Sequence, residues 1–388
     1  MLPPLVHVAP NSNCMQKVLG EDEYTYILWV DSTRDGGRLD LLIKSYLGQR
    51  ISREYVKKKI RLGDVQVIDV KDRSRTHTLR PCTRVFQGER VLVKVQRKEH
   101  LHELEYEHWN NQSMEVETSP QVLFEDSGII VISKPPFMAT YPTGRHSFNC
   151  ATSFFEHRDQ KTIHSIHRID RETSGILILG KNPRLSRVFA EFFASGEARK
   201  VYFLISKISS SSVSELTEEK SCLVANERID RSTVFNSRVC MQTFPATSDQ
   251  GKEALTEFRL LYCEGDYLLA LAFPKTGRQH QIRVHASAHG FPLLGDKIYG
   301  TDPEVFIRYK DHLTTDSDYD ELEIPRHALH AIYLAFPPEH EIFTSVARPN
   351  FFISPLPKDL AGWIGQNLNI SIEEVQGKIR QEIDHYFS

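Results

Sequence analysis

The chain has 388 residues, of which 40% are hydrophobic and 26% charged, with a formal net charge of −3. At ~150 residues per domain, this length gives two or three domains, a large core and a smaller module, in a chain with the composition of an ordinary soluble globular protein. No stretch approaches the ~18 to 20 uninterrupted apolar residues of a membrane span, and runs such as Ile176-Leu177-Ile178-Leu179 have strand length, so no membrane partner is expected. Residues 1–20 have neither an apolar signal core nor repeated arginines, which makes a cytoplasmic location the expectation. Cys14, Cys82, Cys150, Cys222, Cys240 and Cys263 stand too far apart for a metal clip and read as reduced thiols. No metal or cofactor is expected, and the chain is expected to be a monomer.

The net charge hides an uneven distribution. Residues 51–100 carry 14 Lys and Arg against 6 Asp and Glu, a local +8, offset in part by the acidic stretch at 311–323. A basic module on a near-neutral chain fits an RNA partner. Residues 1–36 are taken as an N-terminal extension. After them Leu39, Leu42, Ile43, Tyr46 and Leu47 follow amphipathic helical spacing, closed by Gly48. A second helix is predicted from an N-cap at Ser52, burying Val56 and Ile60 and stopping at Gly63, with Arg53, Lys57, Lys58 and Arg61 available to phosphates. Strands at 65–70 and 90–95 complete a small α+β module over 37–97. This run, from Arg38-Leu39-Asp40 through Ser52-Arg53 and Arg61-Leu62-Gly63-Asp64-Val65 to Gly88-Glu89-Arg90-Val91, resembles the S-four-type RNA-binding module.

Residues 98–120 are polar and read as a linker. Strands follow at 122–126 and 129–133, the second stopped by Pro135 and Pro136. A strand at 175–181 leads into a helix capped by Asn182 and Pro183, with one apolar stripe of Leu185, Val188, Phe189, Phe192 and Phe193, ending at Gly196. Strand alternation resumes at 200–205, 254–263 and 267–273. The predicted fold is α+β: a mixed, mainly antiparallel sheet with helices packed on it over 121–357, and a helical tail at 358–388.

Three segments gather polar, charged and glycine residues where strand patterns break. They contain His167-Arg168-Ile169-Asp170 with Thr173-Ser174-Gly175; Lys200 and Tyr202; and Thr276-Gly277-Arg278-Gln279-His280-Gln281-Ile282-Arg283-Val284-His285 followed by Gly295-Asp296 and Tyr299-Gly300. In this order they resemble the RluA-type pseudouridine synthases. Lys134-Pro135, Gly251-Lys252 with Thr256, and Arg326-His327-Ala328-Leu329-His330-Ala331 agree as well. Ile169 and Gly180 depart from the usual residues without removing a reactive group, and the segment at 311–324 is longer than the pattern leads one to expect.

The resemblance implies the pseudouridine synthase fold and an isomerisation of uridine in ribosomal or transfer RNA that needs no metal or cofactor. It implies Asp170 as the catalytic carboxylate, nucleophile or general base, with Arg283 to orient it, Tyr202 to stack on the uracil, and Arg168 to fill the place of the flipped base. His167, Thr173, Gly175, Lys200, Arg278 and His280 are expected in support, the histidines orienting loops by hydrogen bonds rather than moving protons. Gly277 and Gly295 are expected at turns with unusual dihedrals. Arg283 has a competing partner in Asp296, and His164, His167, His285 and His289 form a much weaker case for metal binding. His-Arg-x-Asp also echoes a kinase catalytic loop, but no glycine-rich loop precedes it and no Asp-Phe-Gly follows. The remaining alternative is a non-catalytic RNA-binding or ribosome-assembly factor on the same scaffold.

Overall fold

The computed structural model describes residues 15–19, 23–47, 53–70, 73–75, 79–96, 114–142, 150–208, 214–232, 239–310, 313–344 and 348–388. The chain divides into two compact units, one of residues 1–99 with 142–157 and the other of residues 100–141 with 158–388.

The smaller unit contains β1 (Met15–Leu19), β2 (Glu23–Trp29), β3 (Gly37–Arg38), α1 (Leu39–Leu47), α2 (Arg53–Arg61), β4 (Val65–Ile68), β5 (Ser74–Arg75), β6 (Arg84–Val85) and β7 (Arg90–Gln96). Its main sheet is antiparallel, in the order β1-β2-β7-β4-β5. The predicted helix pair forms because its apolar stripes have a sheet to cover. Leu39, Leu42 and Ile43 of α1 and Val56 and Ile60 of α2 share a buried cluster with Val65, Val67, Val91 and Val93, each such side chain contributing about 1.5 to 3 kcal/mol of transfer free energy. The predicted caps Gly48 and Ser52 lie outside the described residues. The sheet also starts upstream of the boundary drawn at residue 37. β2 pairs with β7 from Glu23↔Gln96 to Trp29↔Arg90, and Leu28 is fully buried, so residues 23–29 are part of this unit's sheet.

In the larger unit the chain runs through β8 (Gln121–Glu125) and β9 (Ile129–Lys134). Next is α3 (Ala151–Asp159), whose residues fall on both sides of the division between units. Then come β10 (His164–Ser165), β11 (Ser174–Gly180), α4 (Pro183–Ser195), β12 (Arg199–Lys207), β13 (Cys222–Ala225), β14 (Arg228–Arg231) and β15 (Met241–Phe244). It continues with β16 (Thr256–Glu264), β17 (Tyr267–Pro274), α5 (Gln281–Ala288), α6 (Pro303–Lys310), α7 (Asp316–Leu322), β18 (Leu329–Ala335), α8 (Glu341–Thr344), β19 (Phe351–Ile353), α9 (Lys358–Asn367) and α10 (Ile372–Phe387). The sheet order is β13-β16-β17-β12-β18-β11-β9-β8, with β10 added to β11 and β19 to β18. Its pairings are antiparallel except β11 with β18, which is parallel. This is the mixed, mainly antiparallel α+β architecture expected.

Helix α4 begins and ends as its sequence directs. The Asn182 side chain accepts from the Arg184 and Leu185 amides, Pro183 takes the first turn, and Gly196 closes it at φ 83. Its Phe189 and Phe192 are buried with Ile176, Ile178, Phe336 and Phe343. The opposite side of β12 is covered by the C-terminal helices. Leu360, Trp363 and Ile364 of α9 and Val375, Ile379 and Ile383 of α10 share one core with Val201, Phe203, Leu269 and Leu271. Helices α9 and α10 of residues 358–388, read from the sequence as a helical tail, pack into this core. The end of the predicted linker also joins this unit, with Val116 buried and the Lys358 amide donating to Glu117 at 2.9 Å. Part of the acidic segment folds as α7, started by a reciprocal Thr315–Asp318 capping box and anchored by buried Leu322.

Candidate active site

A cleft of about 540 Å³ in the larger unit gathers Asp170, Arg168, Tyr202, Arg283, His167, Thr173, Lys200, Arg278 and His280 along its walls. They come from three places: the loop from β10 to β11, strand β12, and the approach to α5 with the helix itself. Gly175 does not line the cleft. It sits at φ 101 where β11 meets β18, and a Cβ there would lie 2.2 Å from the Ala331 carbonyl oxygen. Only glycine permits both this dihedral and this strand contact.

The Asp170 loop is pinned on both sides. Before Asp170, the Ile169 amide donates to the Thr140 hydroxyl oxygen at 3.3 Å, and the Thr140 hydroxyl donates to the Ile169 carbonyl at 3.2 Å. After it, fully buried Lys134 donates to the carbonyls of Arg171 (3.1 Å), Pro135 (2.8 Å) and Met138 (2.8 Å). Further along, Glu172 pairs with Lys297 at 3.1 Å, Thr173 bonds His327 at 2.8 Å, and Ser174 bonds His330 at 2.9 Å. Arg326, also fully buried, donates to the Glu172 carbonyl and is clasped by Asp359 of α9 at 2.6 and 3.0 Å. The predicted tail therefore reaches the loop through one guanidinium.

Arg283 realises both partners that its sequence context offers. Its Nε and one terminal nitrogen donate to the two oxygens of Asp296 at 2.7 Å each, and its other terminal nitrogen donates to Asp170 Oδ2 at 3.3 Å. Asp296 is fully buried and also accepts from the amides of Ile298 and Tyr299. The Arg283 guanidinium lies 5.1 Å over the Tyr299 ring. Burial raises the Asp170 pKa, but the Coulombic pull of His280, which is charged only in acid, and of Arg283 and Arg168 outweighs it and holds the carboxyl below its ordinary range. The Asp170 side chain keeps 21% of its surface exposed, so an ionised oxygen stays accessible from the cleft.

Helix α5, which delivers Arg283, has no amphipathic stripe for sequence reading to find. Gln281, Ile282, Arg283, Val284, His285 and Ala286 are all buried. Its polar residues have internal partners instead. Gln281 donates to Thr256 at 2.9 Å, and the two nitrogens of His285 stand 3.0 Å from the Thr256 hydroxyl and 3.1 Å from the Glu227 carbonyl. Gly295, at φ 70, has the unusual dihedral expected of it. Gly277 does not, and open space surrounds it.

Tyr202 lies on β12 at a shift in register against β18, between Val201 and Tyr202, a local irregularity of the kind that re-aims a side chain. Burial, reinforced by the Asp170 charge, pushes its phenol up, so it keeps its proton. Lys200 donates to the Thr276 carbonyl at 3.4 Å, and burial brings its pKa down to about 8. Burial lowers His167 to about 3; its Nε2 accepts from the Ile178 amide at 3.1 Å and its ring stacks on Phe193 at 4.2 Å. Arg168 is exposed at the cleft, and Arg278 donates to the Glu253 carbonyl at 2.7 Å. Glu172 and Tyr299 were not singled out by sequence reading. Glu172 lies between motif residues and Tyr299 within one, but neither was given a role, because their roles depend on partners more than a hundred or nearly twenty positions away.

The four predicted RNA-contacting residues all lie on α2 of the smaller unit. Arg53, Lys58 and Arg61 are exposed and Lys57 is half-buried. Fully buried Asp40 accepts from Arg53 at 3.1 and 3.0 Å and from Arg38 at 3.0 and 3.2 Å, so it sets the direction of both guanidinium groups. Among the described residues no group of three His, Cys, Asp or Glu side chains could hold a metal ion, and the described cysteines are free thiols.

With this geometry established, comparison with known proteins gives a consistent result. The family model described as RNA pseudouridylate synthase matches residues 128–288. The chain is 31% identical over 244 residues to the ribosomal large subunit pseudouridine synthase D of Borreliella burgdorferi, covering 60% of this chain and 69% of that one. It is 28% identical over 271 residues to the mitochondrial tRNA pseudouridine(32) synthase of Saccharomyces cerevisiae, covering 69% of this chain and 51% of the yeast protein. It is 30% identical over 249 residues to an uncharacterized RNA pseudouridine synthase of Chlorobaculum parvum, covering 62% and 71%. Among solved structures, Human RNA Pseudouridylate Synthase Domain Containing 4 aligns with a TM-score of 0.46 at 20% identity over 63% of this chain and 92% of that one. The chain belongs to the RNA pseudouridylate synthase family, and within it to the RluA-like enzymes.

Proposed function

We propose that this pseudouridine synthase isomerises specific uridines in ribosomal or transfer RNA, with Asp170 as its catalytic carboxylate. The observation that carries the reading is the Asp170–Arg283 pair. An ionised, partly exposed carboxylate faces a cleft and is held at 3.3 Å by a guanidinium that Asp296 fixes from behind. In the reaction the C1′–N1 bond breaks, the base turns, a C1′–C5 bond forms, and the C5 proton is lost while N1 gains one, so the composition is unchanged. Both roles open to Asp170, attack on the substrate or removal of a proton, begin from the ionised form that its surroundings favour.

The target base has to leave its stack at a cost of a few kcal/mol. Tyr202 is positioned to offset this by stacking on the uracil, a contact worth ~1 to 3 kcal/mol for a nucleobase. Arg168, exposed beside Asp170, fills the vacated place and reaches phosphates. The α1–α2 face of the smaller unit serves as an S-four-type RNA-binding module through Arg53, Lys57, Lys58 and Arg61. The named relatives that act on the ribosomal large subunit and on tRNA support both RNA classes. A binding-only descendant of the scaffold is the competing reading. Against it stands the cost of keeping a buried charged pair, several kcal/mol of desolvation with no return in binding.

The deciding experiment is Asp170→Asn in the full chain. Pseudouridine formation is expected to vanish while RNA affinity stays within about twofold, since only one charge at the cleft changes. Full activity in the variant would refute the assignment. Mapping pseudouridine in total RNA from cells with and without the protein identifies the target.

A further inference from the structure

We propose that Tyr299 fixes the ring tautomer of His280 so that its Nε2–H faces Asp170 Oδ2, making the two positioning residues that leave Oδ1 as the oxygen presented to substrate. This rests on the reading of Asp170 given above.

His280 stands at the start of α5 with φ 55, a left-handed conformation that costs a non-glycine residue about 1 to 3 kcal/mol and concentrates at functional sites. Its side chain makes no capping bond to the helix. Instead Nδ1 lies 2.9 Å from the Tyr299 hydroxyl oxygen and Nε2 lies 3.9 Å from Asp170 Oδ2. The Tyr299 oxygen already accepts from the Met241 amide at 2.9 Å. Burial pushes the phenol up, so it keeps its proton, and that proton needs an acceptor. His280 Nδ1 is at hand.

A neutral imidazole that accepts at Nδ1 carries its own proton on Nε2. Neutrality follows from the surroundings. Burial and Arg283 bring His280 down to about 4, against the opposing pull of Asp170 and Asp296, with Arg168 adding to the decrease. Asp170 Oδ2 then faces two donors, the Arg283 N–H at 3.3 Å and the His280 N–H at 3.9 Å, a gap that can close when substrate fills the site. Among the described residues no donor bonds Oδ1. The relay starts at Met241 on β15, so the β14–β15 hairpin takes part in setting the carboxylate.

The test uses the full chain with 15N-labelled histidine, together with single-turnover pseudouridine formation at saturating RNA. In the wild type, His280 is expected to show an unprotonated Nδ1 and a protonated Nε2, a pattern lost in Tyr299→Phe. That variant keeps the ring beneath Arg283 and is expected to turn over about tenfold more slowly, or about 1.4 kcal/mol, with RNA affinity unchanged. His280→Gln, whose amide N–H can take the place of Nε2–H, is expected to retain more activity than His280→Ala. The opposite tautomer in the wild type, or a Tyr299→Phe rate within about twofold of wild type, overturns the proposal. If Tyr299→Phe does not fold, the wild-type spectrum and the Gln–Ala comparison still decide it. Asp170→Asn in the same series separates the readings, because its full activity would sink the Asp170 role while the spectrum still reports the tautomer.

Discussion

Replacing Asp296 by Asn tests the site at its deepest point. The fully buried carboxylate accepts two 2.7 Å bonds from Arg283 and two amide bonds from Ile298 and Tyr299. An asparagine can keep its carbonyl oxygen toward the amides and one Arg283 nitrogen, which turns its NH2 group against the other, donor against donor. Arg283 is then left buried with one neutral acceptor behind it and, as its one charged partner, Asp170 at the longer distance. Breaking one side of a buried ion pair costs about 3 to 5 kcal/mol, so urea unfolding at pH 7 is expected to show a loss of that size. Asp296 is held below the ordinary carboxylate range, so its contribution is present above the unfolded value near ~4 and fades as pH falls below that. Measurements at pH 5 and 7 therefore both see the intact pair. Turnover is expected to fall as well, because the guanidinium no longer has a fixed direction. Adding Arg283→Met should recover part of the stability but none of the activity. A single-variant loss under about 1 kcal/mol, or two substitutions that simply add, would refute the argument.

Three further outcomes follow from the same structure. Asp359→Ala, which strips the buried Arg326 of its carboxylate, is expected to cost about 3 to 5 kcal/mol in urea unfolding and to slow turnover through the Glu172 backbone; a surface-like loss under about 0.5 kcal/mol would return residues 358–388 to the status of a tail. Because burial brings Lys200 down to about 8 in the folded chain, the unfolded chain binds more protons between that value and the ordinary lysine range. Stability is therefore expected to rise with pH across that window in the wild type, and to rise less in Lys200→Met; equal slopes would count against the burial of this ammonium. Replacing Lys57, Lys58 and Arg61 with Ala should weaken RNA binding and lower the salt slope by about one per lost phosphate contact, and an unchanged salt series would show that α2 does not meet RNA.

The residues that meet in the cleft were legible without coordinates because their spacing is local. His167 to Gly175 and Thr276 to His285 are short runs whose order identifies the family, and helices α1, α2 and α4 announce themselves by apolar stripes and caps. What depended on partners far along the chain was not legible. The first six residues of helix α5 are all buried, which erases the periodicity that marks a surface helix. Strand β2 joins a sheet through β7, nearly seventy residues away, and nothing local at residues 23–29 names that partner.

The amino-acid order by itself determined the chemistry offered: one carboxylate, two arginines, a tyrosine and the glycine that lets β11 approach β18. Tertiary structure decided how those groups are used. It placed Asp296 behind Arg283, Tyr299 against His280, and Asp359 of a helix read as a tail against the arginine that supports the Asp170 loop. Hydrogen bonds and ion pairs in a water-poor interior are strong enough to fix a side chain's direction, and they join residues by distance in space.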